Sequence, residues 1–127
     1  MEQVASNTTG STLISALADL RMGTLLGSLE SGAAAERLES FASAVPELFA
    51  TDRVSWELVF KRLKQADELD GLQDLVMVSR RHVHIAIRSA RDPSLVLIAV
   101  GPRSRSIGLM VSEARARLAR IESARPR

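Results

Sequence analysis

Three runs of branched apolar residues between Leu72 and Val100 constrain the fold of this chain more than any other stretch. Polar residues separate the runs at 79–81 and at 91–94, and the second break contains an Asp-Pro pair that favours a turn. The stretch therefore predicts three antiparallel strands joined by short turns. The middle run alternates apolar and polar side chains, which is typical of a strand with one apolar face: Val83, Ile85 and Ile87 against His82, His84 and Arg88.

Upstream, residues 13–29 predict a β-hairpin. The spacing of the leucines also fits a helix, but Gly23 and Gly27 would each cost a helix about 1 kcal/mol relative to alanine. We therefore expect strands over Leu13–Leu20 and Thr24–Leu29, joined by a turn at Arg21–Gly23.

Helical spacing predicts one long helix before the three strands and one after them. The first runs from Ala33 to about Phe49, Pro46 interrupts its last turn, and its apolar face comprises Leu38, Phe41, Val45 and Leu48. The second runs from about Ser106 to Ser123 behind a continuous apolar stripe, and its outer face carries Glu113, Arg115, Arg117 and Arg120.

A further amphipathic segment lies between the first helix and the strands. Thr51-Asp52 offers an N-cap for it, and Asp70-Gly71 ends it. Trp56, the single tryptophan, shares its apolar face with Val59 and Phe60. This register favours a place in the core or a dimer interface over an exposed anchor for a partner.

Length and composition fit one globular domain, since 46% of the 127 residues are apolar and 25% are charged. We expect a flexible tail over 1–12, a single domain over 13–122 and a basic tail over 123–127. No apolar run reaches the roughly 20 residues that cross a bilayer, and the start of the chain lacks the pattern of an export signal. We therefore expect a cytoplasmic protein.

The charges divide the chain into an acidic and a basic half. Residues 1–74 carry twelve acidic and six basic side chains, whereas residues 75–127 carry three acidic and eleven basic ones. Such an asymmetry suits an acidic partner, nucleic acid or self-association. The low aromatic content of 3% argues against stacking platforms for single-stranded nucleic acid.

No catalytic, cofactor or metal site emerges from the pattern. Cysteine is absent, which excludes thiolate chemistry. His82 and His84 share a strand face, but a third metal ligand is not recognisable and the neighbouring arginines disfavour a cation. The loop Gly101–Ser106 lacks a Walker pattern, so an N-capped strand-to-helix connection is favoured over a phosphate site. The acidic cluster of Asp67, Glu68 and Asp70 is best explained as a solvated loop.

The order of these elements resembles the roadblock/dynein light chain family, especially its small bacterial members of the Mgl type. The resemblance covers about residues 13–122 and is strongest over Leu72–Leu118, where three strands precede Ser-Ile-Gly-Leu-Met-Val-Ser-Glu-Ala-Arg-Ala-Arg-Leu. Asp19–Gly23 matches the position of the family's first hairpin turn. The chain departs from the family in lacking its usual first helix and in having a longer connection before the third strand.

The resemblance implies an α/β sandwich with a five-stranded antiparallel sheet in the order 2-1-5-4-3 and helices on both faces. In the family, the third strands of two protomers pair and the long helices pack antiparallel across the twofold axis. The apolar third strand independently favours dimerisation, because an exposed apolar edge is a liability. We expect a homodimer whose interface comprises Leu38, Phe41, Val45, Leu75, Val76, Met77 and Val78.

The function implied by the resemblance is that of a non-enzymatic regulatory or scaffold module in a bacterial polarity or motility complex. Its partner would be a Ras-like small GTPase or another roadblock protein, and no cofactor is implied. In the family the GTPase docks on the long-helix face, which here carries Glu36, Glu39 and Glu47, whereas Arg117 and Arg120 would meet a second partner or none. The alternative is a nucleic-acid-binding module that uses Arg103, Arg105, Arg115, Arg117 and Arg120, although a salt-bridged, solvated face is favoured over such a stripe.

Overall fold

The computed structural model describes residues 12–27, 30–50, 62 and 73–124. Within these ranges lie five strands and two long helices: β1 Ile14–Asp19, β2 Thr24–Gly27, α1 Gly32–Ala50, β3 Asp74–Val78, β4 His82–Arg88, β5 Leu95–Pro102 and α2 Ile107–Ala124. The predicted N-terminal tail up to residue 11, the Trp56 segment, the acidic cluster at 67–70 and residues 125–127 lie outside the described residues. No helix in the described ranges has both the length and the apolar character needed to cross a membrane.

The five strands form one antiparallel sheet in the order β2-β1-β5-β4-β3, which confirms the predicted topology. The central strand β5 pairs with β1 on one side, where Val100 lies opposite Ile14, and with β4 on the other, where Ala99 lies opposite Ile85. Helices cover both faces of this strand, so Leu95–Gly101 is buried throughout.

The core consists of two layers separated by the sheet. On one face, α1 packs through Leu38, Phe41 and Val45 against alternate residues of the strands, such as Ile98. On the other face, α2 packs through Met110, Ala114 and Leu118 against Val83, Ile85, Ile87, Leu97 and Ala99. The period of two in the strands and the spacing of three and four in the helices therefore place the apolar residues as the sequence predicts.

The turn between β1 and β2 is held by hydrogen bonds within the turn and packs closely against α1. The carboxylate of Asp19 accepts a hydrogen bond from the Arg21 amide at 2.8 Å, and the Gly23 amide donates to the Asp19 carbonyl at 2.8 Å. Gly23 has a φ of 69°, and a Cβ at this position would lie 3.2 Å from both the Ala42 carbonyl oxygen and Pro46 Cγ. Only glycine fits such a close approach at positive φ.

Pro46 does not end α1, which continues through it to Ala50. A proline inside a helix removes the hydrogen bond to the carbonyl four residues earlier, and this carbonyl belongs to Ala42, beside Gly23. The loop before α2 agrees with the sequence prediction of a capping serine, because Ser106 Oγ accepts a hydrogen bond from the Leu109 amide at 3.3 Å.

Candidate functional site

The open edge of the sheet at β3 is the first feature of the candidate site. β3 pairs with β4 on one side, and no described strand pairs with its other side. The Ser79 amide donates to the His82 carbonyl and the Arg88 amide to the Gln73 carbonyl, so the odd-numbered residues of β3 bond to β4. Because hydrogen-bonding direction alternates along a strand, the amides and carbonyls of Asp74, Val76 and Val78 point outward from the sheet.

The side chains of β3 leave apolar surface on both faces of this edge. Val76 is 41% exposed and Val78 46% exposed on the α2 side, opposite Ile85 and Val83 of β4. On the α1 side, Leu75 and Met77 are half-buried against the core. An edge with unpaired backbone groups and exposed branched residues is a template for pairing with another strand.

A groove runs beside this edge, between α1 and the surface of β3 and β4. It encloses ≈ 540 Å³ and is lined by Ala33, Glu36, Arg37, Ser40, Phe41, Met77 and His84. The side of α1 that faces the groove carries small side chains at Ala33 and Ser40, which let another backbone approach closely. The groove is therefore wide and shallow enough to receive an element packed alongside α1.

His82 and His84 lie below the first half of α1, on the strand face that the sequence predicts to be polar. The His84 ring contacts the Phe41 ring edge-on, with the centroids 5.1 Å apart. Burial is the main cause that lowers the pKa of each histidine, and Arg37 lowers both further. Both shifts favour the neutral form of the imidazole. No cluster of three or more metal-ligating side chains occurs in the described part of the chain.

A second groove of ≈ 370 Å³ lies where α1 begins, between the helix and the ends of β1 and β5. Its lining includes Arg37, His82 and Glu30 beside the apolar residues Ile14 and Val100. Neither groove was predicted from the sequence, because the first is formed by residues from three separate elements and the second by residues from four.

Three residues predicted for the dimer interface belong to the protomer's own core. Leu38 and Val45 are fully buried and Phe41 is 6% exposed, all within the protomer's own core. They hold α1 on the sheet, so Leu38 and Val45 offer no surface to a second copy, whereas the edge of Phe41 reaches the groove. The other four predicted residues, Leu75, Val76, Met77 and Val78, do lie along the open edge.

The predicted partner-binding residues fall into two groups. Glu36, Glu39 and Glu47 are exposed on the outer side of α1. Arg120 is likewise exposed on α2, but Arg117 donates to the Leu13 carbonyl and to Ser15 Oγ, both at 2.8 Å, and pairs with Glu113. Arg117 therefore fastens α2 to β1.

Most of the arginines predicted for nucleic-acid binding form ion pairs or hydrogen bonds within the chain. Arg115 pairs with Asp74 of β3, and Arg105 lies 3.2 Å from the Glu113 carboxylate that also accepts from Arg117. These three guanidinium groups are partly neutralised by carboxylates, which leaves no continuous basic stripe along α2.

The fold defined by this sheet and its two helices belongs to a known class. It matches the Roadblock/LC7 domain from Streptomyces avermitilis with a TM-score of 0.62 and 13% sequence identity, over 90% of this chain and 84% of that one. It also matches MglB of Myxococcus xanthus, with a TM-score of 0.57 and 15% identity over 97% of this chain and 92% of that one.

A third match is the gliding protein MglB from Thermus thermophilus, with a TM-score of 0.52 and 19% identity over 94% of this chain and 85% of that one. No protein-family model and no curated protein sequence matches the chain. The chain thus has the roadblock fold shared by MglB, and the resemblance predicted from the sequence is confirmed at the level of the fold.

Proposed function

We propose that the protein is a non-enzymatic homodimeric scaffold that binds a Ras-like small GTPase, or another roadblock protein, in a cytoplasmic polarity or motility complex. The observation that supports this most strongly is the open edge of β3, with its outward backbone groups, its half-exposed valines and the groove beside it. The similarity of the fold to two MglB structures, one of them described as a gliding protein, supports the same function.

The dimer forms by antiparallel pairing of β3 with β3 of a second copy, centred on Val76. The amides and carbonyls of Asp74, Val76 and Val78 then find partners, and the two sheets join into one of ten strands. The twofold axis is perpendicular to the sheet, so both α1 helices lie on the same face. Each helix packs along the small residues Ala33 and Ser40 of the other, above the two grooves.

The GTPase docks on the outer face of the two α1 helices. This face carries Glu39 and Glu47, which are exposed and can set the encounter rate and the register of a partner with complementary charge, while Glu36, also exposed, borders the groove that receives the other helix. As the resemblance to the roadblock family implies, the scaffold acts by stabilising one arrangement of the switch loops of the GTPase and contributes no nucleotide site of its own.

Val76→Lys tests the dimer. Two like charges would meet at the twofold axis, and the apolar side chain whose burial contributes ~1.5–3 kcal/mol would be lost. The variant should be monomeric in light scattering at micromolar protein, whereas the wild type is dimeric. Leu26→Lys is the matched control, since Leu26 is 51% exposed on β2, at the opposite edge of the sheet. A dimer of unchanged stability in Val76→Lys would overturn the proposed interface.

Glu36→Lys and Glu39→Lys test the partner face. In calorimetry against the Ras-like GTPases of the same genome, the double variant should bind more weakly than the wild type. Arg120→Glu, on the opposite face of the sheet, should leave the affinity unchanged. Loss of binding only in the Arg120 variant would show that the partner uses the α2 face instead.

A further inference from the structure

Two loops meet at the end of the sheet where β3 and β5 finish. The Arg103 amide donates to the Arg81 carbonyl at 2.9 Å, and the Arg103 guanidinium donates to the Ser79 carbonyl at 3.4 Å. These bonds join the β5–α2 loop to the β3–β4 turn. As a result, Arg80, Arg81 and Arg103, whose side chains are exposed, belong to the same end of the molecule.

Two exposed apolar side chains follow in the first turn of α2. Ile107 is 38% exposed and Leu109 is 66% exposed, although other residues of the same helix, such as Met110, are fully buried. We define the basic tip as Arg80, Arg81, Arg103, Ile107 and Leu109. The positive charge of this end also reaches its neighbour His82, whose pKa is lowered by burial and further by Arg37 and Arg81.

We propose that the basic tip binds an anionic lipid surface. The arginines lie at the level of the headgroups, where anionic lipids attract basic side chains, and Leu109 and Ile107 enter the boundary between headgroups and acyl chains. Long side chains that combine charge and apolar surface at one end of a protein suit this environment.

The shape of the tip favours a lipid surface over other anionic partners. Neither of the two grooves beside α1 includes any residue of the tip, so an acidic peptide bound in either groove would not contact the tip. Nucleic acid could bind the arginines, but it would not bury the exposed Leu109 side chain. The tip also contains no aromatic ring on which a base could stack. A lipid surface uses both kinds of side chain.

The proposed homodimer adds a consequence, and this part rests on it. Antiparallel pairing of β3 with its copy places the two tips at opposite ends of the ten-stranded sheet. A flat membrane therefore meets one tip at a time, and the second tip remains free to bind another membrane. The dimer should join vesicles together, whereas a monomer should bind them without joining them.

Sedimentation with phosphatidylcholine–phosphatidylserine vesicles tests the proposal. The wild type should pellet with these vesicles, should remain in solution with pure phosphatidylcholine, and should be released by high salt. Arg80→Glu/Arg81→Glu should weaken binding by more than about tenfold, and Leu109→Ser should weaken it by a smaller factor while the salt dependence remains.

The matched control is Arg21→Glu/Arg120→Glu, which changes the net charge by the same amount at exposed residues away from the tip. This control should bind vesicles as the wild type does. Equal loss in the control, or no binding of the wild type at low salt, would overturn the proposal. So would binding of generic duplex DNA that the tip variant loses while anionic vesicles stay unbound by the wild type.

Val76→Lys separates this proposal from the dimer. Clustering of vesicles, followed by light scattering, should disappear in this variant although sedimentation with the vesicles persists. Wild-type protein that is monomeric yet still sediments with anionic vesicles through the tip would refute the dimer and support the lipid surface. Wild-type protein that is dimeric but does not sediment with anionic vesicles would support the dimer and refute the lipid surface.

Discussion

The two helices rest on the same sheet but are held by different contacts. α1 is held through apolar and aromatic side chains such as Leu38 and Phe41, while its carboxylates point outward. α2 has an apolar stripe as well, but Arg115 and Arg117 also bind β3 and β1, and Glu122 accepts a hydrogen bond from Ser89. The difference teaches that the charges of α2 mostly position the helix, whereas those of α1 are available to partners.

The largest effect should come from the apolar contacts of α1. Leu38→Ala removes a fully buried side chain from the centre of the α1 layer, and we expect a loss of about 2–5 kcal/mol in the free energy of unfolding by urea. Leu26→Ala, at an exposed position, should change it by less than about 0.5 kcal/mol. If both substitutions lowered the free energy of unfolding equally, α1 would not be packed on the sheet through Leu38.

A smaller effect should come from the polar contacts of α2. Arg117→Met keeps the length of the side chain but leaves the Leu13 carbonyl and one oxygen of the half-buried Glu113 without their donor, at a cost of about 1–3 kcal/mol, while Arg105 still pairs with the other Glu113 oxygen. Arg120→Met should be nearly neutral, because Arg120 is exposed. If GTPase affinity fell in Arg117→Met while stability did not, the contrast between the helices would be wrong.

The smallest effect concerns the histidines at the border of the α1 layer. Their pKa values are lowered in the folded chain from the ordinary 6.5, by burial first and then by positive neighbours. As the pH falls below 6.5, the unfolded chain takes up protons before the folded one does. The stability should therefore decrease on acidification until the lowered pKa values are passed.

Urea unfolding between about pH 7.5 and about pH 5.5 measures this decrease. His82→Gln/His84→Gln removes both titrating groups and should flatten the profile over that range. If the free energy of unfolding of the double variant fell with pH as steeply as that of the wild type, the pH dependence would come from carboxylates elsewhere.

The fold was largely predictable because it depends on local spacing. The period of two in β4, the continuous apolar run of β5, the helical stripes of α1 and α2 and the glycine at the first turn are local patterns, and each one predicts an element from neighbouring residues alone. The order of the strands followed from the resemblance, and the structure confirms it.

The roles of single residues were less predictable, since a pattern identifies a face without identifying what covers it. Leu38, Phe41 and Val45 form an apolar stripe whether the sheet or a second copy lies beneath them, and here it is the sheet. Arg117 belongs to the outer face by spacing, yet its long side chain reaches back to β1. The half-buried setting of His82 and His84 likewise depends on where α1 crosses β4, which the spacing of either element alone does not specify.

The central position of β5 has a consequence for how the chain acquires its structure. β1 is made early but pairs with β5, so the edge of β1 that carries Ile14 stays unpaired until Val100 has been made. Until the ribosome has released the last strand, the first hairpin and α1 have no complete surface on which to pack. Such long-range pairing slows folding and leaves apolar segments open to aggregation in the meantime. The final third of the chain therefore acts as the template on which the earlier part assembles.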